Sequence, residues 1–163
     1  MVKQFAAEVS GLGRKLGGIL VQLPPSLVHE RRRANAFFNL LRKFFEVPLA
    51  CEPRHASWFG AELDPFWKRH DIARVAADPA RPADASEPGE YGPWSYWRWH
   101  GSPRMYYSAY DDARLEALAR VLKARVRDGR DAWCIFDNTA SGHAIANALR
   151  LREIIAAVDR GLA

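Results

Sequence analysis

Only two cysteines, Cys51 and Cys134, occur in 163 residues, so a disulfide scaffold cannot be what holds this chain together. Each lies in a mostly apolar stretch, the setting of a buried thiol rather than a nucleophile. No apolar run approaches the ~18 residues that a membrane span needs. The start, Met1-Val2-Lys3-Gln4, has no charged leader followed by an apolar stretch, so no secretory signal is read there. The expected setting is a reducing cytoplasm with no membrane contact. Neither sign of charge dominates: 24 Lys+Arg against 19 Asp+Glu leave a net charge of +5. That permits anionic partners without demanding them. Disorder is excluded by a composition that is 48% hydrophobic and 26% charged, and residues 1–163 are expected to form a single domain.

What is present is a strand–helix rhythm. The spacing predicts a helix over Val2–Lys15, with Phe5, Val9, Leu12 and Leu16 on one face, ended by Gly17-Gly18. Ile19–Leu23 reads as a buried strand stopped by Pro24-Pro25. A helix over His29–Phe45 places Ala34, Phe37, Phe38, Leu41, Phe44 and Phe45 on its apolar stripe. A second strand covers Pro48–Arg54, a helix starts at Asp64 as N-cap with Pro65 behind it, and a third strand covers Ala73–Asp78. Pro79–Pro93 reads as a long, flexible, exposed loop. The fourth strand is Trp94–His100. After a tyrosine-rich loop comes a helix over Asp111–Arg127, with Leu115, Leu118, Ala119, Leu122 and Val126 inward. The fifth strand is Ala132–Asn138. The last helix runs from Ser141, its N-cap, to about Arg160, with Ala144, Ile145, Ala148, Leu151, Ile155 and Val158 inward.

This alternation implies right-handed crossovers and a parallel sheet. The expected class is α/β: a partial TIM-barrel-like fold of about five parallel strands with flanking helices. A full barrel needs ~250 residues, so the first three βα units would be lacking.

In such folds ligands bind at the carboxyl ends of the strands, and here every predicted strand ends in polar residues: Gln22; Glu52, Arg54 and His55; Asp78; Arg98 and His100; Asp137, Asn138 and Thr139. Alternation puts Glu52 with Arg54 on one face, and Arg98 with His100 opposite Trp97 and Trp99. Charges at that depth are costly unless paired. They could form a closed salt-bridge network, or a pocket that still offers donors to a ligand. Barrel interiors are better stabilised by apolar filler, which favours the pocket.

Arg54 and Arg98 offer bidentate forks for phosphate or carboxylate, and the helix start near Ser141-Gly142 could add backbone donors. His100 beside Glu52 or Asp78 could move protons. A metal-assisted version would recruit Glu52, Asp78, His55 and His100, but no compact ligand motif is present and no metal is assigned. Arg104, Met105, Tyr106, Tyr107 and Tyr110, after His100, would suit stacking and phosphate contact with nucleic acid, or would simply pack on the rim as a lid.

Leu16-Gly17-Gly18-Ile19-Leu20-Val21-Gln22-Leu23-Pro24-Pro25, Glu52-Pro53-Arg54-His55-Ala56-Ser57-Trp58-Phe59, Arg98-Trp99-His100-Gly101, and Asp137-Asn138-Thr139 with Gly142, Ala144, Asn147 and Ala148 together resemble the YecE-like family (domain of unknown function 72). The resemblance spans nearly the whole chain. It implies a TIM-barrel-like fold, related to the endonuclease IV type of barrel, of which this chain matches strands four to eight. Pro53 stands where the family has an aliphatic or aromatic residue, and Asp137 where it usually has Asn. No established reaction or cofactor comes with the resemblance.

The sequence reading is a pocket for a small anionic or phosphorylated ligand. In the enzyme form, a hydrolase acting on a phosphorylated or nucleic-acid substrate, Glu52, His100 and Asp78 are the catalytic candidates. Gln22, Arg54, His55, Arg98, Asn138 and Thr139 are the substrate-binding candidates. The alternative is a non-catalytic ligand- or nucleic-acid-binding module. Open sheet edges would allow a homodimer.

Overall fold

Short apolar runs closed off by proline, glycine or charge give short strands here, and β1, β2, β5 and β6 are each followed by a helix. A computed structural model describes residues 1–89, 91–92 and 94–159. In chain order it has α1 (Val2–Val9), β1 (Ile19–Gln22), α2 (Arg31–Phe44), β2 (Leu49–Glu52), α3 (Asp64–His70), β3 (Ile72–Arg74), β4 (Ala76–Asp78), β5 (Trp94–Trp99), α4 (Asp112–Arg127), β6 (Asp131–Phe136) and α5 (His143–Asp159). Pro93 and Arg160, the expected ends of the long loop and the last helix, lie outside the described residues, as does the side chain of Val158.

All strand pairs are parallel and form two three-stranded sheets, β1-β2-β3 and β4-β5-β6. The third predicted strand is therefore two. β3 pairs with β2, β4 pairs with β5, and between them Val75 donates its N–H to the Cys51 carbonyl at 2.8 Å.

Period-2 alternation sorts the side chains. Leu20, Ala50, Ala73, Val75, Trp94 and Tyr96 pack together on the concave face. Ala50 and Ala73 are small enough to leave room there for the indole of Trp94 and the ring of Tyr96. On the outer face, Leu49, Cys51 and Ile72 meet α2 and α3 in an aromatic cluster of Phe38, Trp58, Phe66 and Trp67. Ala76 and Trp97 meet α4 and α5 through Leu115, Leu118, Leu122, Leu151 and Ile154.

Local capping follows the sequence. The Glu30 carboxylate accepts the N–H groups of Arg32 and Arg33 at 2.8 and 3.0 Å, and Asp111 accepts that of Arg114 at 2.9 Å. Asp64 is the first residue of α3 rather than its cap, and its carboxylate accepts the Tyr91 hydroxyl instead.

Several expectations are corrected. The first helix is shorter, because after Val9 the chain tightens into a 3-10 turn and Gly13 breaks it at φ +50°. Phe5, Leu12, Phe44, Val126 and Ile145 are exposed, although they share a helical period with buried neighbours. On α5 the buried stripe is Ala144, Asn147, Leu151 and Ile154, which turns Ile145 outward. α5 itself starts at His143, two residues beyond Ser141. The long loop is pinned rather than loose. Arg74 donates to the Asp84 carbonyl at 3.0 Å, Gly89 donates to the Arg74 carbonyl at 2.9 Å, and Ala85 is buried.

Candidate functional site

At the carboxyl end of the concave face the apolar filling gives way to a polar layer. β1 and β2 run in register, Gln22 beside Glu52. Arg98 follows Trp94 and Tyr96 inward on β5, and Asp137 follows Trp133 and Ile135 by the same parity after β6. Glu52 is the common acceptor. Arg54 Nε donates to Glu52 Oε1 at 3.0 Å, Arg98 Nη1 donates to Glu52 Oε2, and His100 Nε2 lies 3.2 Å from Oε1. Arg98 also donates to Gln22 Oε1 at 2.7 Å and to Asp137 Oδ2 at 2.6 Å.

His100 is 1% exposed, and both of its ring nitrogens face carboxylates. Nδ1 meets Asp137 at 2.7 Å and Nε2 meets Glu52. Each contact is a hydrogen bond only if the nitrogen carries a proton, so the arrangement calls for imidazolium. Burial alone disfavours that charge, but the two carboxylates outweigh it and the histidine pKa is raised. Glu52 is the mirror case. Burial would raise its pKa, yet the His100 hydrogen bond and the Arg98 charge bring it down to about 2.

With His100 protonated, three cations (Arg54, Arg98 and His100) meet two carboxylates (Glu52 and Asp137). The layer carries one positive charge in excess. Above it lies a cavity of about 220 Å³ bounded by Glu52, Arg54, Arg81 and His100 on its polar side. Ala77, Met105 and the rigid rings of Pro25, Pro53 and Pro79 form the rest of its wall.

The loop between His100 and Tyr110 is fastened over this layer. Gly101 sits at φ +96°, and a Cβ there would come within 2.9 Å of the Ser108 carbonyl, so only glycine fits. Its N–H donates to the Tyr110 hydroxyl at 2.8 Å. Tyr106 stands edge-on to the His100 ring at 5.9 Å, and it helps raise the Arg54 pKa, as Glu52 does.

The structure brings together Gln22, Glu52, Arg54, Arg98 and His100, as the sequence reading expects. It does not bring in the other candidates. Asp78 is paired in register with Trp99 and points to the outer face, where Arg114 Nη2 meets it at 2.7 Å; Ala77 takes the inward place. His55 is taken up by Ser57, whose Oγ lies 2.8 Å from Nδ1. Asn138 is fully buried behind the layer and donates to the Ser108 carbonyl and to Asn147 Oδ1, both at 2.9 Å, so it ties the loop to α5. Thr139 is exposed, in the turn before α5. The sequence reading names Asp137 at a strand end and Tyr106 in the rim loop, but assigns neither to the site. Carrying the strand's alternation one residue past Phe136 would have selected Asp137 over Asn138.

The metal set Glu52, Asp78, His55 and His100 is likewise not assembled. Among the described residues no group of three or more His, Cys, Asp or Glu side chains is arranged to hold a metal ion. Both thiols are poor nucleophiles: burial pushes Cys51 well up and Cys134 up to about 12.

Residues 1–162 match the family described as "Protein of unknown function DUF72". The chain belongs to the DUF72 family. Its fold is similar to that of a DUF72 family protein from Thermotoga maritima, with a TM-score of 0.78 at 24% identity over 95% of this chain and 64% of that one. It is also similar to a DUF72 family protein from Enterococcus faecalis, with a TM-score of 0.75 at 21% identity over 96% of this chain and 68% of that one. This DUF72 chain thus spans a little under two thirds of the length of the Thermotoga relative. No curated protein matches it. Among the described residues no helix is long and apolar enough to cross a membrane.

Proposed function

We propose that the cavity at the carboxyl ends of the strands binds a small anionic ligand, a phosphate or carboxylate, on a partial TIM-barrel-like frame formed as one domain. What carries this reading is the surplus of cation over carboxylate in a buried layer, with Arg54 and Arg81 bordering the cavity of about 220 Å³. The mostly apolar rest of the wall suits the body of such a ligand. A binding role is favoured over hydrolysis. Glu52, held near pKa 2, is a weak base, and His100 has no ring nitrogen left to accept a proton. A nucleic-acid ligand is the second reading. It is favoured by Tyr106 and Tyr107, both exposed in the loop whose Met105 lines the cavity, and by the Arg104 guanidinium 4.0 Å from the Tyr107 ring.

Calorimetry with inorganic phosphate and with a short dicarboxylate tests the reading. Saturable binding should weaken at least tenfold in Arg54→Met. It should persist or tighten in Glu52→Gln, which removes an internal competitor for the arginines. Absence of binding, or indifference to Arg54→Met, sinks it. Turnover of a phosphate ester that Glu52→Gln abolishes would restore the hydrolase. Oligonucleotide binding that falls steeply with salt would support the second reading.

A further inference from the structure

The cations around the cavity are of two kinds. Arg54 commits Nε and Nη2 to Glu52, and Arg98 commits its terminal nitrogens to Gln22, Glu52 and Asp137. Both ring nitrogens of His100 face carboxylates. Arg81 differs from all three. It lines the same cavity from the segment after β4, it is exposed, and among the described residues its guanidinium has no ion pair or hydrogen bond. The backbone around it is held, because Arg74 donates to the Asp84 carbonyl at 3.0 Å and Ala85 is buried. Such a guanidinium meets a ligand without first breaking an internal pair.

The rest of the wall offers an anion little. Pro25, Pro53 and Pro79 carry no N–H, and the side chains of Ala77 and Met105 have no donor. Recognition therefore rests on side-chain charge more than on a fixed set of backbone donors, and that charge can be counted. The polar layer has one positive charge in excess, and Arg81 brings the surplus at the cavity to two. Asp78, the residue before Pro79, does not reduce it, because it faces outward and pairs with Arg114 at 2.7 Å. Uncompensated charge beside a partly buried cavity is costly. A compact group with two negative charges removes the whole surplus, whereas a singly charged one leaves a cation over. A phosphate monoester carries about 1.5–2 negative charges at neutral pH. A diester carries about one.

We infer that the pocket selects a phosphate monoester over a diester, and that Arg81 is the residue that makes the distinction. The inference rests on the anion-binding reading of this cavity and names the ligand class within it. The internal phosphates of a nucleic acid are diesters, so they are the poorer ligands of this site.

Calorimetry on the whole chain at neutral pH, with methyl phosphate and dimethyl phosphate, provides the test. Methyl phosphate should bind roughly tenfold more tightly or better. Arg81→Met, at an exposed position, should weaken methyl phosphate by a similar factor and leave dimethyl phosphate nearly unchanged. Arg81→Lys keeps the charge and should keep most of the preference. Equal affinity for the two esters overturns the ligand class, and the anion site itself still stands if both affinities fall in Arg54→Met. A preference that survives Arg81→Met intact overturns the role of Arg81. If neither ester binds, the inference and the anion-binding reading fall together.

Discussion

Arg98 and Asp137 meet at 2.6 Å across the β5–β6 pair, and the same carboxylate holds Nδ1 of His100. Asp137 thereby links a guanidinium to an imidazolium. Asp137→Asn keeps the shape and removes the charge. The His100 pKa should fall, because one of its two carboxylate neighbours is gone, and stability at pH 6 should drop by about 1–3 kcal/mol. Nitrogen-15 NMR of the imidazole and urea unfolding measure the two effects. An unchanged His100 titration would contradict the arrangement.

The polar layer also sets a pH window. The Glu52 pKa is depressed from 4.5 to about 2, so its contribution is complete above pH 4.5 and is lost as pH falls toward 2. A shift of that size corresponds to roughly 3 kcal/mol. The His100 pKa is raised from 6.5, so its contribution is complete below pH 6.5 and is lost as pH rises through the folded-state value. Stability from these two groups should plateau between pH 4.5 and 6.5 and decline on both sides. Urea midpoints across pH 2–9 check this, and Glu52→Gln should flatten the acid limb.

Helix α2 separates periodicity from burial. Phe38 is fully buried among Trp58, Phe66 and Trp67, whereas Phe44, on the same predicted stripe, is 40% exposed. Phe38→Ala should cost about 3–5 kcal/mol. Phe44→Ala should cost no more than about 1 kcal/mol. Equal losses would mean that both rings are buried.

Cys51 and Cys134 should react with a disulfide reagent only on unfolding. Cys51 is buried and Cys134 half-buried, and burial pushes the Cys51 pKa well up and that of Cys134 up to about 12. The measured labelling rate should track the denaturant-induced unfolding transition. Rapid labelling of the folded protein would contradict their placement.

Much of this was legible in the residues. The strand–helix rhythm, the crossing of Glu52, Arg98 and His100 at one level, and the outward packing of Trp97 all follow from alternation and from the cost of unpaired buried charge. What failed did so for identifiable reasons. Asp78 and Asn138 both lie at strand ends, but parity turns the first toward Arg114 and the second behind the layer. His55 was lost to local competition from Ser57, a short-range hydrogen bond that alternation cannot anticipate. Ile145 and Val126 were misplaced because a helical stripe says which residues share a face, and not where the neighbouring helices end.

The split strand has a mechanical consequence. β3 and β4 are consecutive segments separated only by Val75, so each three-stranded sheet ends on the same piece of backbone. Pulling either sheet apart drags on the other's terminal ladder. The two halves should therefore melt together, in one transition, even though their apolar clusters are distinct.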